Sequence, residues 1–250
     1  WHVPMSKAAM LAGKHVFCEK PLAHSCAEAR EIRDLSRQSK LATQLGTQGG
    51  STDTFRRSME VIQAGLLGKI REVHCWINRS FPPSAPIDTN ADPIPEGLNW
   101  DFWCGPSPLL PYKSYYIAAP GAVGCLHWGR WLAFGDGHLA DMGAHGLNLP
   151  WRALKLGAPI RASVRIAEPL KDSYPSACDF RWDFPAREGF EPVSVWWHDG
   201  PKAGPPEELG ELLLSTYGKP QTNGVLFAGE KGILFSNAWG VGGVVRLKGD

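Results

Sequence analysis

The sequence predicts an α/β protein in two parts: the closing portion of a doubly wound parallel sheet, then an α+β domain on a large, mainly antiparallel open sheet. Three observations predict it. Helix-like and strand-like stretches alternate at short spacing up to Gln48, as they do in a parallel sheet of βα units. Strand-like runs then recur at 70–78, 159–167, 178–184, 192–198, 224–228 and 232–236, closely spaced in a way that suits antiparallel pairing. Between them, Phe81 to Gly124 is rich in Pro, Gly and Trp and has no clear period, which marks long irregular structure. The boundary falls near residue 48, dividing the chain into 1–48 and 49–250.

Each element has a local reason. Pro4 to Leu11 reads as a short helix that Gly13 stops. Residues 15–18 form a short buried strand. Ser25-Cys26-Ala27-Glu28 is a capping box, and the helix it opens carries Ala29, Ile32 and Leu35 on one face. Leu41 to Leu45 is the next strand. Thr52 to Ala64 places Phe55, Met59 and Ile62 at helical spacing, with Gly65 as the stop. Gly229-Glu230-Lys231-Gly232 turns a hairpin between the last two strand-like runs.

Composition excludes several classes of function. The 250 residues are 43% hydrophobic and 20% charged, an ordinary globular balance. A net charge of +1 without a basic stripe argues against nucleic acid as a partner. No apolar run reaches the roughly 18 residues that span a bilayer, so no membrane association is expected. The six cysteines form no C-x-x-C pair and no disulfide-rich pattern. Reduced thiols point to the cytoplasm, with the periplasm as the alternative because any export signal would precede Trp1.

Two constellations carry chemistry. In Lys14-His15-Val16-Phe17-Cys18-Glu19-Lys20-Pro21 a strand runs straight into an acid, a base and a proline. Ligands of open parallel sheets lie at such carboxyl ends, although a strand-end lysine is often only a solvated charge. The second constellation is Gly137 to His145. On one helix, Asp141 and His145 share a face, with His138 nearby and Asn148 three residues on. Histidine is the usual proton carrier near neutral pH, and a nearby carboxylate can fix its tautomer. The bland alternative is a merely hydrogen-bonded helix histidine. His138, Asp141 and His145 are also metal-ligand types, but their spacing matches no standard signature, and no metal is expected. Trp100, Trp103, Trp128 and Trp131 are core by default, yet their flat faces suit the C–H faces of a sugar.

Taken together, G-K-H-V-x-C-E-K-P and G-x-L-x-D-M-G-x-H, with Trp1-His2, Ala64 to Ile70 and Trp103-Cys104-Gly105-Pro106, resemble the glucose–fructose oxidoreductase and inositol dehydrogenase family (Gfo/Idh/MocA). The resemblance implies a Rossmann-type domain that binds NAD or NADP, represented here by its C-terminal part. It also implies a substrate-binding and oligomerisation domain with an open sheet, and a homo-oligomer. Glu19, Lys20, Pro21 and Gln48 would then contact the cofactor, with Pro21 in a tight turn. Lys20, Asp141 and His145 would be catalytic, with His145 accepting the proton, and Trp128, Arg130, Trp131 and Tyr115 would meet the substrate. The implied activity is hydride transfer between a nicotinamide and a sugar, polyol or related hydroxy compound. One alternative is glycoside cleavage by transient oxidation and elimination, with Tyr112, Tyr115 or Tyr116 as the proton-abstracting group. The other is a sugar-binding domain without catalysis. No G-x-G-x-x-G turn occurs before Glu19, so the expectation is a piece lacking roughly 80–100 N-terminal residues of such a fold.

Overall fold

The computed structural model describes residues 1–79, 87–117, 124–168 and 171–249. Parts of the expected irregular stretch, 80–86 and 118–123, lie outside the described residues. In chain order the elements are α1 (His2–Leu11), β1 (Val16–Cys18), α2 (Cys26–Gln38), β2 (Thr43–Leu45), α3 (Asp53–Gln63), β3 (Ile70–Ile77), α4 (Trp100–Cys104), α5 (Gly137–Asp141), α6 (Gly143–Gly146), α7 (Asn148–Ala153), β4 (Arg161–Ile166), β5 (Cys178–Phe184), β6 (Val193–Asp199), α8 (Glu207–Tyr217), β7 (Asn223–Gly229), β8 (Gly232–Ser236) and β9 (Val244–Leu247). They form two compact units. The first comprises Trp1–Gly46, the described part of Pro83–Asp141, and the described part of Pro169–Tyr174; the second holds the remainder. The middle segment thus gathers with the N-terminal piece.

In the first unit β1 and β2 pair in parallel, Val16 with Thr43 and Cys18 with Leu45. Val3, Met10 and Ile32 bury the contact between α1 and α2. Ser25 caps α2 by accepting the Glu28 N–H at 3.1 Å, and Glu28 reaches back to the His24 N–H. The reciprocal bond therefore lands one residue before the standard capping box. The Trp- and Tyr-rich segment makes its own core from Trp100, Cys104, Tyr112, Tyr116 and Trp131. Gly105 sits at φ +58°, and a Cβ there would lie 2.2 Å from the Trp1 indole. Glycine is required twice over at that position, by dihedral and by space.

The second unit is a seven-stranded sheet, among the described residues, in the order β4-β5-β6-β3-β7-β8-β9. Only β3 and β6 pair in parallel; the other neighbours are antiparallel. Strand alternation gives the sheet two different faces. Cys75 and Trp197 lie opposite each other on one face, beneath Gly146 of α6. Trp76, Leu226 and Phe235 lie on the other, covered by Leu213 of α8. The sequence reading passed over α8, although two glutamates in its first turn and Gly218 at φ +68° mark its ends. Among the described residues, no helix is long and apolar enough to cross a membrane.

Candidate functional site

Lys20 belongs to the first unit. β1 ends at Cys18, and the Gly46 N–H extends its ladder by donating to the Cys18 carbonyl at 2.8 Å. The chain then leaves the sheet through exposed Glu19 and half-buried Lys20. A cis Lys20–Pro21 peptide turns it, and the His2 Nδ1–H pins that turn by donating to the Pro21 carbonyl. A Cβ on Gly46 would sit 2.7 Å from the Glu19 carboxylate, so Glu19 lies over the start of the next segment. The Lys20 ammonium forms an ion pair with the Asp141 carboxylate and also donates to the Asp141 main-chain oxygen at 3.1 Å. Both side chains are 21% exposed. Among the described residues, two of the three ammonium protons are thereby engaged, which leaves one for an incoming acceptor.

That pairing revises the expected role of Asp141. The D-x-x-x-H spacing predicted one helix with the aspartate oriented toward the histidine. Instead the helix is broken into α5, α6 and α7, with non-helical steps at Met142 and Leu147. Gly143, Gly146 and Pro150 explain the breaks. Asp141 closes α5 in the first unit and holds Lys20, whereas His145 sits on α6 in the second.

His145 is buried, 4% exposed. Its helix is seated by an unusual set of contacts. Pro150 has no N–H, so the Gly146 carbonyl lacks its normal helical donor. The Cys75 thiol supplies one at 3.5 Å. Burial pushes that thiol's pKa upward, so it keeps its proton. The Trp197 ring lies 3.2 Å from where a Gly146 Cβ would stand, and its own N–H is anchored on Asp199 at 2.8 Å. A methyl at 146 would require the Trp197 ring to give by a few tenths of an ångström. The Trp239 ring packs against the His145 imidazole at 6.0 Å, tilted 45°. Gln48 opens the short 3₁₀ turn Gln48–Ser51 and is exposed, while its neighbour Thr47 accepts a hydrogen bond from Asn148 Nδ2 at 3.2 Å.

The proposed substrate contacts fare unevenly. Trp131 is 2% exposed and belongs to the aromatic core, with Tyr115 stacked on it at 5.6 Å and Tyr116 edge-on at 5.3 Å. Its face is already occupied, so it packs the core and offers no platform to a sugar. Arg130 is likewise buried, its guanidinium 5.7 Å from the Trp131 ring. Trp128 and Tyr115 remain half-buried. Tyr112 and Tyr116 are buried, and burial pushes the Tyr116 phenol's pKa upward, which disqualifies it as a base. Among the described residues, no three His, Cys, Asp or Glu side chains could hold a metal ion.

The carboxyl end of β1, where Glu19, Lys20 and Pro21 leave the sheet, is the position at which an open parallel sheet receives a ligand such as a dinucleotide. The glycine-rich turn that would hold its phosphates is not among these residues. Residues 1–47 match the model of the Gfo/Idh/MocA oxidoreductases, described as an oxidoreductase family with an NAD-binding Rossmann fold. An uncharacterized oxidoreductase of Bacillus subtilis, YfiI, is 35% identical over 82 residues, 32% of this chain and 20% of that protein. An inositol dehydrogenase homolog from Azotobacter vinelandii, solved with NAD+, has the same fold, with a TM-score of 0.61 and 20% identity over the whole chain and 52% of that structure. A levoglucosan dehydrogenase solved with NADH and levoglucosan gives a TM-score of 0.58 and 18% identity over the whole chain and 55% of that structure. The chain thus spans about half the length of these solved structures.

Proposed function

Because residues 1–47 match the model of the Gfo/Idh/MocA oxidoreductases, we propose that this chain serves an NAD(P)-dependent dehydrogenase acting on a sugar, polyol or related hydroxy compound. The observation that carries the reading is the Lys20–Asp141 ion pair at the carboxyl end of β1. It holds an ammonium, with one proton to spare, where a parallel sheet receives its ligand.

Oxidising a secondary alcohol breaks a C–H bond and an O–H bond and leaves a carbonyl. When bound, the nicotinamide supplies the hydride acceptor. The protein must take the hydroxyl proton and stabilise the negative charge that grows on oxygen. His145 takes the proton, since a neutral imidazole is the side chain best matched to that task near neutral pH. The Lys20 ammonium donates its remaining N–H to the developing oxyanion. Asp141 fixes the ammonium's direction through two hydrogen bonds. Glu19, Pro21 and Gln48 flank the cofactor, and Trp128 and Tyr115 are the remaining candidates for a sugar's apolar face. The elimination reading loses Tyr112 and Tyr116 to the core and keeps Tyr115, half-buried, as its one remaining tyrosine base.

The test uses the complete reading frame that contains these residues. NADH formation would be followed with NAD+ and, in turn, myo-inositol, levoglucosan and glucose. Lys20→Ala and His145→Ala should each lower turnover about a hundredfold or more. If both act in one step, the double variant should fall only about tenfold further at most. Turnover preserved in either single variant removes that residue's role. Full additivity would mean that the two residues contribute independently of each other. Binding of a sugar without any NADH would favour the non-catalytic reading.

A further inference from the structure

The loop that follows β8 serves no role so far described, yet it is held more tightly than a surface connection needs. Asn237 Oδ1 accepts from the N–H groups of Trp239 and Val241, both at 3.0 Å. The Asn237 N–H donates to the Val241 carbonyl at 3.1 Å, and the Gly240 N–H to the Asn237 carbonyl at 2.9 Å. The Ala238 N–H donates to Asn223 Oδ1 at 3.0 Å, tying the loop to the start of β7. Two glycines complete the clamp. A Cβ on Gly49 would fall 1.8 Å from the Trp239 carbonyl oxygen, so the backbone beside Gln48 presses directly on the loop. Gly240, at φ +75°, would collide with the Phe55 ring if it carried a side chain. The indole between these fixed points faces one catalytic candidate, the buried His145 imidazole.

We propose that Trp239 is a positioning residue for His145: it fixes the plane of the imidazole and keeps water from it. The proposal rests on His145 being the proton acceptor. An aromatic pair at this separation restricts ring rotation through dispersion and quadrupole contacts. A proton acceptor confined to one orientation loses less rate to misalignment, since misplacement by about 1 Å can cost on the order of a hundredfold. Because Trp239 shares its loop contact with Gly49, the same clamp also fixes the backbone next to Gln48.

Two readouts test the proposal in the complete reading frame. The first needs no cofactor: the carbethoxylation rate of His145 by diethyl pyrocarbonate, mapped by peptide mass, with exposed His15 as internal reference. Trp239→Ala should raise the His145-to-His15 ratio about tenfold through local opening, while Trp239→Phe, which keeps an aromatic ring, should stay near wild type. The second is kinetic, on whichever of the three substrates above is turned over. Trp239→Ala should lower kcat about tenfold with KM within about twofold, and Trp239→Phe should recover most of the loss. An unchanged His145 ratio in Trp239→Ala, or an unchanged kcat, overturns the proposal. A wild-type protein that oxidises nothing while Trp239→Ala still exposes His145 would sink the dehydrogenase reading and leave Trp239 as the cover of that imidazole.

Discussion

Lys20 and His145 are held in place by opposite means. Lys20 leaves a short strand at the edge of solvent and is fixed by charge, through one carboxylate and one carbonyl of Asp141. His145 is fixed by packing. Its helix rests on the sheet through Gly146, Cys75 and Trp197, and its ring rests on Trp239. An ion pair tolerates changes of shape but not of charge. A close-packed seat tolerates the reverse, because interiors are dense and yield little. The two groups should therefore fail under different substitutions.

The packed seat should break hardest. Gly49→Ala would put a methyl against the Trp239 backbone, which cannot swing aside as a side chain would. The expected loss is about 3 kcal/mol or more in urea unfolding; wild-type stability in this variant would mean the loop is far looser than its contacts imply. The next test sharpens the contrast with a second buried histidine in the same unit. His74 lies on the opposite sheet face, and its neighbours are titratable. Its Nδ1–H donates to His198 Nε2 at 3.2 Å, and His198 in turn donates to Asp179 at 2.7 Å. Glu72 stands 3.6 Å from its other nitrogen, and Arg181 lies over the adjacent Trp196 ring. Burial, and then His198, bring the His74 pKa down to about 4. A basic group so lowered binds its proton more readily when unfolded. Its neutral form therefore contributes full stability above about pH 6.5, and the contribution is lost as pH falls toward 4, up to about 3 kcal/mol. Thermal melts at pH 7 and pH 4.5 should show that loss in wild type and a smaller one in His74→Leu. Equal losses in the two proteins would assign the acid sensitivity elsewhere. The smallest effect belongs to the ion pair. Asp141→Asn keeps an acceptor for Lys20 but removes the charge, and should lower turnover about tenfold with little change in unfolding free energy. A large loss of stability would make Asp141 a structural anchor.

Much of this was legible in the residues. The parallel β1–β2 pair followed from the alternation of short apolar strands with a capped amphipathic helix, because periods of two and 3.6 are local properties. The β7–β8 hairpin and most strands of the large sheet were legible for the same reason. Lys20 stood out because a strand end is a local event. α8 was marked by its acidic first turn and terminal glycine, but Gly210 in its interior and the prolines before it blurred the pattern.

Long-range partners were not legible. Asp141 stands 121 residues from the lysine it holds, and in sequence its visible companions were His138, three positions before, and His145, four positions on. Trp131 carried the composition of a sugar platform, and only the arrival of Tyr115 and Tyr116 against its ring made it core. Trp239 sits in a plain Asn-Ala-Trp-Gly stretch whose meaning depends on Gly49 and His145. Sequence alone determined which segments become strands and helices and which residues could carry a proton, since those depend on neighbours a few positions away. Tertiary structure alone decided which charge meets which, and which ring covers which, because such pairings are selected by close packing among residues that the chain order keeps apart.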